Sequence, residues 1–138
     1  MLVDASVIVA ILSREPGYVE LEKRLAAAET PLIVTPLVKF EAVVSLARQK
    51  STPHKPTPSL VRQAQQAVDA MVEDISASEV PISSEIGRLA IEASTNYGKS
   101  VGHIADLNFG DCFAYASAKA LGVSLLYRGN DFAHTDLA

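Results

Sequence analysis

The chain has one cysteine, Cys112. That excludes an internal disulfide and any cysteine-built zinc site, fits a reducing cytosol, and leaves Cys112 the role of a small buried apolar residue. Basic charge is also scarce: 12 Lys and Arg face 16 Asp and Glu, for a formal net charge of -4. A general polyanion binder, whose affinity comes from many cationic contacts to phosphates, is thereby excluded; if nucleic acid binds, a metal must help. Long apolar runs are missing too. The run at residues 5–12 is too short to cross a bilayer, follows Asp4 rather than basic residues, and leads into Arg14 and Glu15. Neither a membrane span nor a secretion leader is expected, and the cytoplasm is the expected compartment. Aromatic residues are only 6% of the chain, and no aromatic-studded RNA-binding sheet can be read from them.

What is present is apolar: 49% of the residues are hydrophobic. That suits a sheet covered on both faces, with apolar surface left for a partner. The 138 residues, without repeat or linker, fit one domain spanning 1–138, long enough to bury about two thirds of the surface of its unfolded form. Residues 1–3 read as a short buried strand, followed by helices at about 5–13 and 17–28, separated by Pro16. A second strand is expected at 32–34. Thr35 as N-cap and Pro36 as first helical residue then start a helix to about Lys50. Prolines 53, 56 and 58 make 51–59 a loop before an amphipathic helix with Leu60, Ala64, Val68 and Met71 on its stripe. A third strand is expected at 80–82. A helix capped by Ser83 or Ser84 and stopped by Gly98 follows, then a helix opened by Gly110 and Asp111, and a last strand at 123–127. Short apolar strands alternating with helices imply a three-layer α/β/α fold with a mostly parallel sheet, whose ligands gather at the carboxyl ends of the strands.

Four acids stand where such a chain has least reason to place them. Asp4 closes the apolar N-terminus, Asp111 and Asp131 follow glycine turns, and Glu41 shares a helical stripe with Leu37 and Val44. An ionised carboxylate in apolar surroundings is kept mainly when paired, hydrogen-bonded or bound to a cation, and no equal set of basic partners is nearby. Two carboxylates about 4 Å apart repel by roughly 4 kcal/mol at an effective dielectric of about 20, which a divalent ion turns into attraction. Asp4 ends the first strand, Asp131 follows the last, and Glu41 and Asp111 are expected in first helical turns at the same edge, so all four can converge. Each also has a plainer reading: Asp4 and Asp111 as helix caps, Asp131 as a turn residue. Oxygen-only ligands favour magnesium or manganese over zinc.

The stretches Val3-Asp4-Ala5-Ser6, Glu41 in the following helical region, Leu107-Asn108-Phe109-Gly110-Asp111-Cys112-Phe113-Ala114-Tyr115-Ala116, and Leu125-Leu126-Tyr127-Arg128-Gly129-Asn130-Asp131-Phe132 with His134-Thr135-Asp136-Leu137 carry a family resemblance. In this order they resemble the PIN-domain family, specifically VapC-like toxins of toxin–antitoxin pairs, over nearly the whole chain. The third and fourth stretches carry most of that specificity. The resemblance implies a metal-dependent endoribonuclease that cleaves RNA phosphodiester bonds with metal-activated water. Asp4, Glu41, Asp111 and Asp131 would hold Mg2+ or Mn2+, and Ser6 would orient a carboxylate or a water. It further implies a homodimer held inactive by a VapB-like antitoxin. Asp136 is the alternative fourth acid, ranked below Asp131.

Arg48, Lys50 and Lys55 lie in the stretch 48–62, which has no Asp or Glu and could guide an RNA backbone; its plainer reading is a solvated loop. Arg128 could pair with a phosphate or with Asp131. Two competing readings are weighed. Phosphatase chemistry through an aspartyl nucleophile wants an acid where Ser6 stands. A non-nucleolytic α/β metal-binding or phosphoacceptor domain wants a central aspartate and a late-strand lysine, and neither is evident.

Overall fold

Five helices begin where a short polar side chain accepts a backbone N–H, the local signal that sets where each of them starts. In the computed structural model, which describes residues 1–137, β1 (Leu2–Val3) ends at Asp4, whose carboxylate caps α1 (Ala5–Leu12) by accepting from the Ser6 N–H. After α2 (Tyr18–Ala26) and β2 (Ile33–Val34), Thr35 caps α3 (Pro36–Ser51), with Pro36 at its first position. Thr57 caps α4 (Pro58–Asp74), so that helix takes the last two residues of the expected loop 51–59, with Pro58 in the place where a missing N–H costs nothing. β3 (Ser78–Glu79) precedes α5 (Ser84–Tyr97), capped by Ser83, and a short 3-10 turn (Lys99–Val101). Asn108 caps α6 (Phe109–Leu121), and β4 (Leu125–Leu126) ends the sheet.

The sheet order is β3-β2-β1-β4 and every pairing is parallel. Side chains alternate across it with the two-residue period of a strand. Leu2 and Leu125 pack toward α5 and α6 with Ile86, Leu107 and Phe132, whereas Val3 and Leu126 pack toward α1, α3 and α4 with Ile8, Leu46 and Val68. Two cores on opposite faces of one sheet make the three layers expected from the alternation of elements. Strand β3 does not lie at 80–82. A left-handed turn at Ser76 (φ 52°) brings Ser78 and Val80 to donate to Leu32 and Val34, and these bonds start the strand two residues earlier. The apolar 80–82 segment instead leads into α5.

This topology decides where the site lies. From β1 the chain crosses to β2 on one side; from β3 it returns across to β4 on the other side of β1. The connections part company at the carboxyl ends of β1 and β4, the switch point where open α/β sheets leave a crevice. Asp4 and the turn after β4 sit there.

Candidate metal centre

A cavity of about 260 Å³ opens at this switch point, and Asp4, Glu41, Asp111 and Asp131 all line it. They come from four separate parts of the chain: the end of β1, the second turn of α3, the first turn of α6, and the turn after β4. Asp4 is only 8% exposed. Its Oδ2 accepts both from the Ser6 N–H (2.9 Å) and from the Ser6 hydroxyl (2.5 Å), so the capping role and the cavity role fall on one side chain. The Ser6 hydroxyl in turn accepts from the Arg128 N–H at 3.0 Å, which ties the turn after β4 to the start of α1.

Asp111 is held by a reciprocal pair. Its N–H donates to the Asn108 side chain (3.0 Å) and its Oδ2 accepts from the Asn108 N–H (2.9 Å), a capping box with aspartate in the third helical position. Glu41 lies in the second turn of α3 rather than the first, because α3 starts at Pro36. The buried stripe of α3 is Val38, Ala42, Leu46 and Ala47, so Glu41 stands half-buried at its margin, facing the cavity. Its carboxylate lies against the Cα of Gly110, where any side chain would occupy the space of Glu41 itself. Gly110 thus serves less as a turn residue than as the gap through which α3 reaches α6.

Burial and mutual repulsion act together on these acids. Burial pushes the Asp4 carboxyl up, against the two Ser6 hydrogen bonds and with the added charge of Asp131. Glu41 is pushed up to about 7 by burial and then by the charges of Asp4 and Asp111. Asp111 is pushed up to about 6, again first by burial, with Asp131, Asp4 and Asp106 adding repulsion against the pull of the Asn108 N–H. Among the described residues none of the four pairs with Lys or Arg. Nor do three His, Cys, Asp or Glu groups close on one point tightly enough to hold a metal as they stand. The donors that line the cavity are all oxygen, and such a set fits a hard divalent cation.

Other expected residues fall elsewhere. Asp136 does not line the cavity: its Oδ1 accepts from the Tyr115 hydroxyl and its Oδ2 pairs with Lys119, both at 2.6 Å. These contacts hold its carboxyl below the usual range, Lys119 contributing most. Asp131 therefore stands alone as the acid of that loop facing the cavity. Arg128 lines the cavity but pairs with Glu15 at 2.6 Å, not with Asp131, because Glu15 projects from the turn between α1 and α2 across the cavity rim. Arg48 and Lys50 are exposed in the last turn of α3, where cations also suit the helix carbonyls, and Lys55 is exposed in the loop beyond. Arg48 lies two helical turns from Glu41 on the same face of α3.

Sequence reasoning missed Glu15, Ser45 and Asn108 as lining residues. Ser45, four residues from Glu41 on one helix face, was the one with a spacing that could have found it. Of three larger grooves, those of about 800 and 770 Å³, between α5 and α6 and among α1, α2 and α4, are apolar, and the third, of about 340 Å³, holds Asp69 and Glu79 already paired with Lys39.

Comparison with known proteins bears on the family and the fold. The PIN domain family model matches residues 1–137. A VapC ribonuclease of Rhizobium meliloti is 54% identical over 98% of this chain and 97% of its own length. A VapC ribonuclease of Mycobacterium bovis is 31% identical over 99% of this chain and 96% of its own. Among solved structures, Mycobacterium tuberculosis VapC20, a sarcin–ricin loop cleaving toxin, superposes with a TM-score of 0.71 at 16% identity, covering 96% of this chain and 92% of that one. A toxin–antitoxin complex from Klebsiella pneumoniae gives a TM-score of 0.68 at 18% identity, covering 99% and 92%. At those identities the last two speak for the fold alone.

Proposed function

The chain belongs to the PIN domain family, and from that premise we propose that it is a metal-dependent endoribonuclease acting as the toxin of a toxin–antitoxin pair. One observation carries the reading: four carboxylates from remote segments line one cavity without a basic partner, three of them with their protons held more tightly by burial and repulsion. The ribonuclease names of the relatives in two bacteria support the substrate class.

Asp4, Glu41, Asp111 and Asp131 hold the cation, with magnesium the best match to the donors and manganese the alternative. When bound, such an ion supplies the charge that acidifies a water and offsets charge building on the phosphate oxygens. The protein's own part is placement. Ser6 fixes the orientation of Asp4, Asn108 that of Asp111, and Gly110 leaves the space that Glu41 needs. Because Glu41 and Asp111 carry protons at mildly acidic pH, filling the site releases protons, and occupancy rises as pH rises through 6 to 7. Arg48, on the Glu41 face of α3, is the nearest cation for an RNA phosphate, and the exposed Lys50 at the helix end and Lys55 in the loop beyond add positive charge for the backbone.

The large exposed apolar side chains Phe40, Ile91 and Phe109 support association, as a homodimer and with an antitoxin whose basic groups would neutralise the acids. Among the described residues no helix is long and apolar enough to cross a membrane.

The test is incubation of purified protein with structured RNA and magnesium beside Asp4→Asn and Asp111→Asn. Cleavage that needs the metal and falls by about a hundredfold or more in both variants is expected. Cleavage without metal, or unchanged in either variant, removes the assignment.

A further inference from the structure

Glu15 is the one acid in the cavity wall that is fully engaged. Its Oε2 pairs with Arg128 Nη1 at 2.6 Å and its Oε1 accepts from Gln49 Nε2 at 2.8 Å. The Gln49 amide is itself oriented, its oxygen accepting from the Ser13 hydroxyl. Both Glu15 oxygens are thus occupied by the protein, unlike a carboxylate waiting for a cation. Arg128 is gripped at two ends, its guanidinium by Glu15 and its backbone N–H by Ser6, the residue that also orients Asp4.

Among the described residues Arg128 is the only Lys or Arg lining the cavity. Its side chain stays 42% exposed while that of Glu15 is 21% exposed, so the arginine is the more open member of a pair that lines the cavity. A guanidinium has five N–H donors in a rigid planar fork, and the contact with Glu15 runs through Nη1. The rest of the fork suits a phosphate, which it can meet with two parallel hydrogen bonds.

We infer that Glu15 is a positioning residue, holding the Arg128 guanidinium at the rim of the acidic cavity so that it takes an RNA phosphate beside the one being cleaved. The inference rests on the ribonuclease reading. Glu15 touches neither substrate nor cation; it draws the arginine away from the four carboxylates and presents it to the incoming backbone. Gln49 and Ser13 complete the support from the end of α3 and the end of α1.

The experiment measures cleavage of structured RNA in magnesium by the wild type, Glu15→Gln, Arg128→Gln, the double variant, and the charge-swapped Glu15→Arg with Arg128→Glu, alongside the melting temperature of each with and without magnesium. A wild type that does not cleave removes the ribonuclease reading itself, whatever the variants do. With an active wild type, each single variant should raise KM for RNA roughly tenfold or more with a smaller change in kcat. The double variant should be no worse than Arg128→Gln, because the two act as one unit. Arg128→Gln should also lower the salt dependence of RNA binding by about one phosphate contact.

The charge swap restores the ion pair but turns a carboxylate toward the phosphate, so its KM should stay high while its melting temperature recovers. A KM restored by the swap would reduce the pair to a structural tether and overturn the inference. So would an unchanged KM in Glu15→Gln, or the loss in that variant of the magnesium-induced rise in melting temperature, which would make Glu15 a metal ligand.

Discussion

Asp131 and Asp136 lie in the same C-terminal loop and meet opposite fates. Asp136 finds a cation and a hydroxyl, Lys119 and Tyr115, spaced four residues apart on α6, and these hold its carboxyl below the usual range. Asp131 faces Asp4 and Asp111, raises the proton affinity of both, and has no basic partner among the described residues. Being acidic does not distinguish the two. What separates a candidate metal ligand from a structural acid here is the counter-charge: one region supplies it from within the fold, and the other leaves it to come from outside. The fold decides which is which through Phe132, only 1% exposed and set edge-on against Tyr127. Burying that ring pins the loop so that the residue before it turns to the cavity and the residues after it turn to α6.

The sharpest way to break this comparison is to neutralise each aspartate in turn. Asp131→Asn should lower metal-dependent RNA cleavage by about a hundredfold or more, whereas Asp136→Asn should leave it within about twofold. The stability effects should run the other way. Removing Asp136 disrupts a surface ion pair and a hydrogen bond, together about 1 kcal/mol, and should lower the melting temperature by about 3 °C. Equal losses of cleavage in both variants would mean that the loop exchanges its acids.

A smaller but more local effect is expected at Gly110. An alanine methyl there meets the Glu41 carboxylate, so Gly110→Ala should drive Glu41 out of the cavity while leaving Asp4 and Asp111 in place. Cleavage should fall by about tenfold or more, and the stabilisation by magnesium, about 2.7 kcal/mol at a hundred times its dissociation constant, should shrink. Full activity in Gly110→Ala would separate Glu41 from the chemistry.

These residues also mark how far the sequence alone could be read. The three layers, the cap Thr35, the cap at Ser83 or Ser84, and the convergence of Asp4, Glu41, Asp111 and Asp131 on one edge were legible, because apolar periodicity and capping chemistry are local and carboxylates interrupt them visibly. β3 was not. Its residues Ser78 and Glu79 are exposed and polar, at the edge of the sheet and held by backbone bonds to β2 that leave no side-chain pattern, and the neighbouring apolar 80–82 drew the assignment. The choice of Asp131 over Asp136 could be ranked but not explained, since it depends on Tyr115 and Lys119 arriving from α6. The pairing of Glu15 with Arg128, and the need for Gly110 to make room for Glu41, join segments far apart in the chain, and no spacing rule signals either.

The comparison extends to pH, where the two regions should respond with opposite sign. Glu41 has an ordinary value of 4.5 and is raised to about 7 in the folded protein. Between those values the native state keeps a proton that the unfolded chain has lost, so without metal this group's contribution to stability falls as pH rises from about 4.5 to 7 and then levels off. Asp136 is lowered from 3.8, so its contribution is fully present above that value and is lost only as pH falls through the lower folded one. Glu41→Gln should therefore melt at the same temperature as wild type near pH 4.5 and higher, by about 2–6 °C, at pH 8 in chelator. Asp136→Asn should melt lower than wild type throughout that range, by a nearly constant amount. Magnesium should abolish the advantage of Glu41→Gln at pH 8, because the ion removes the repulsion that the substitution relieves. Melting curves for Glu41→Gln that run parallel to wild type from pH 4.5 to 8 would show that Glu41 titrates as an ordinary surface acid, and the cavity would then lack the strained charge that sets it apart from the Asp136 region.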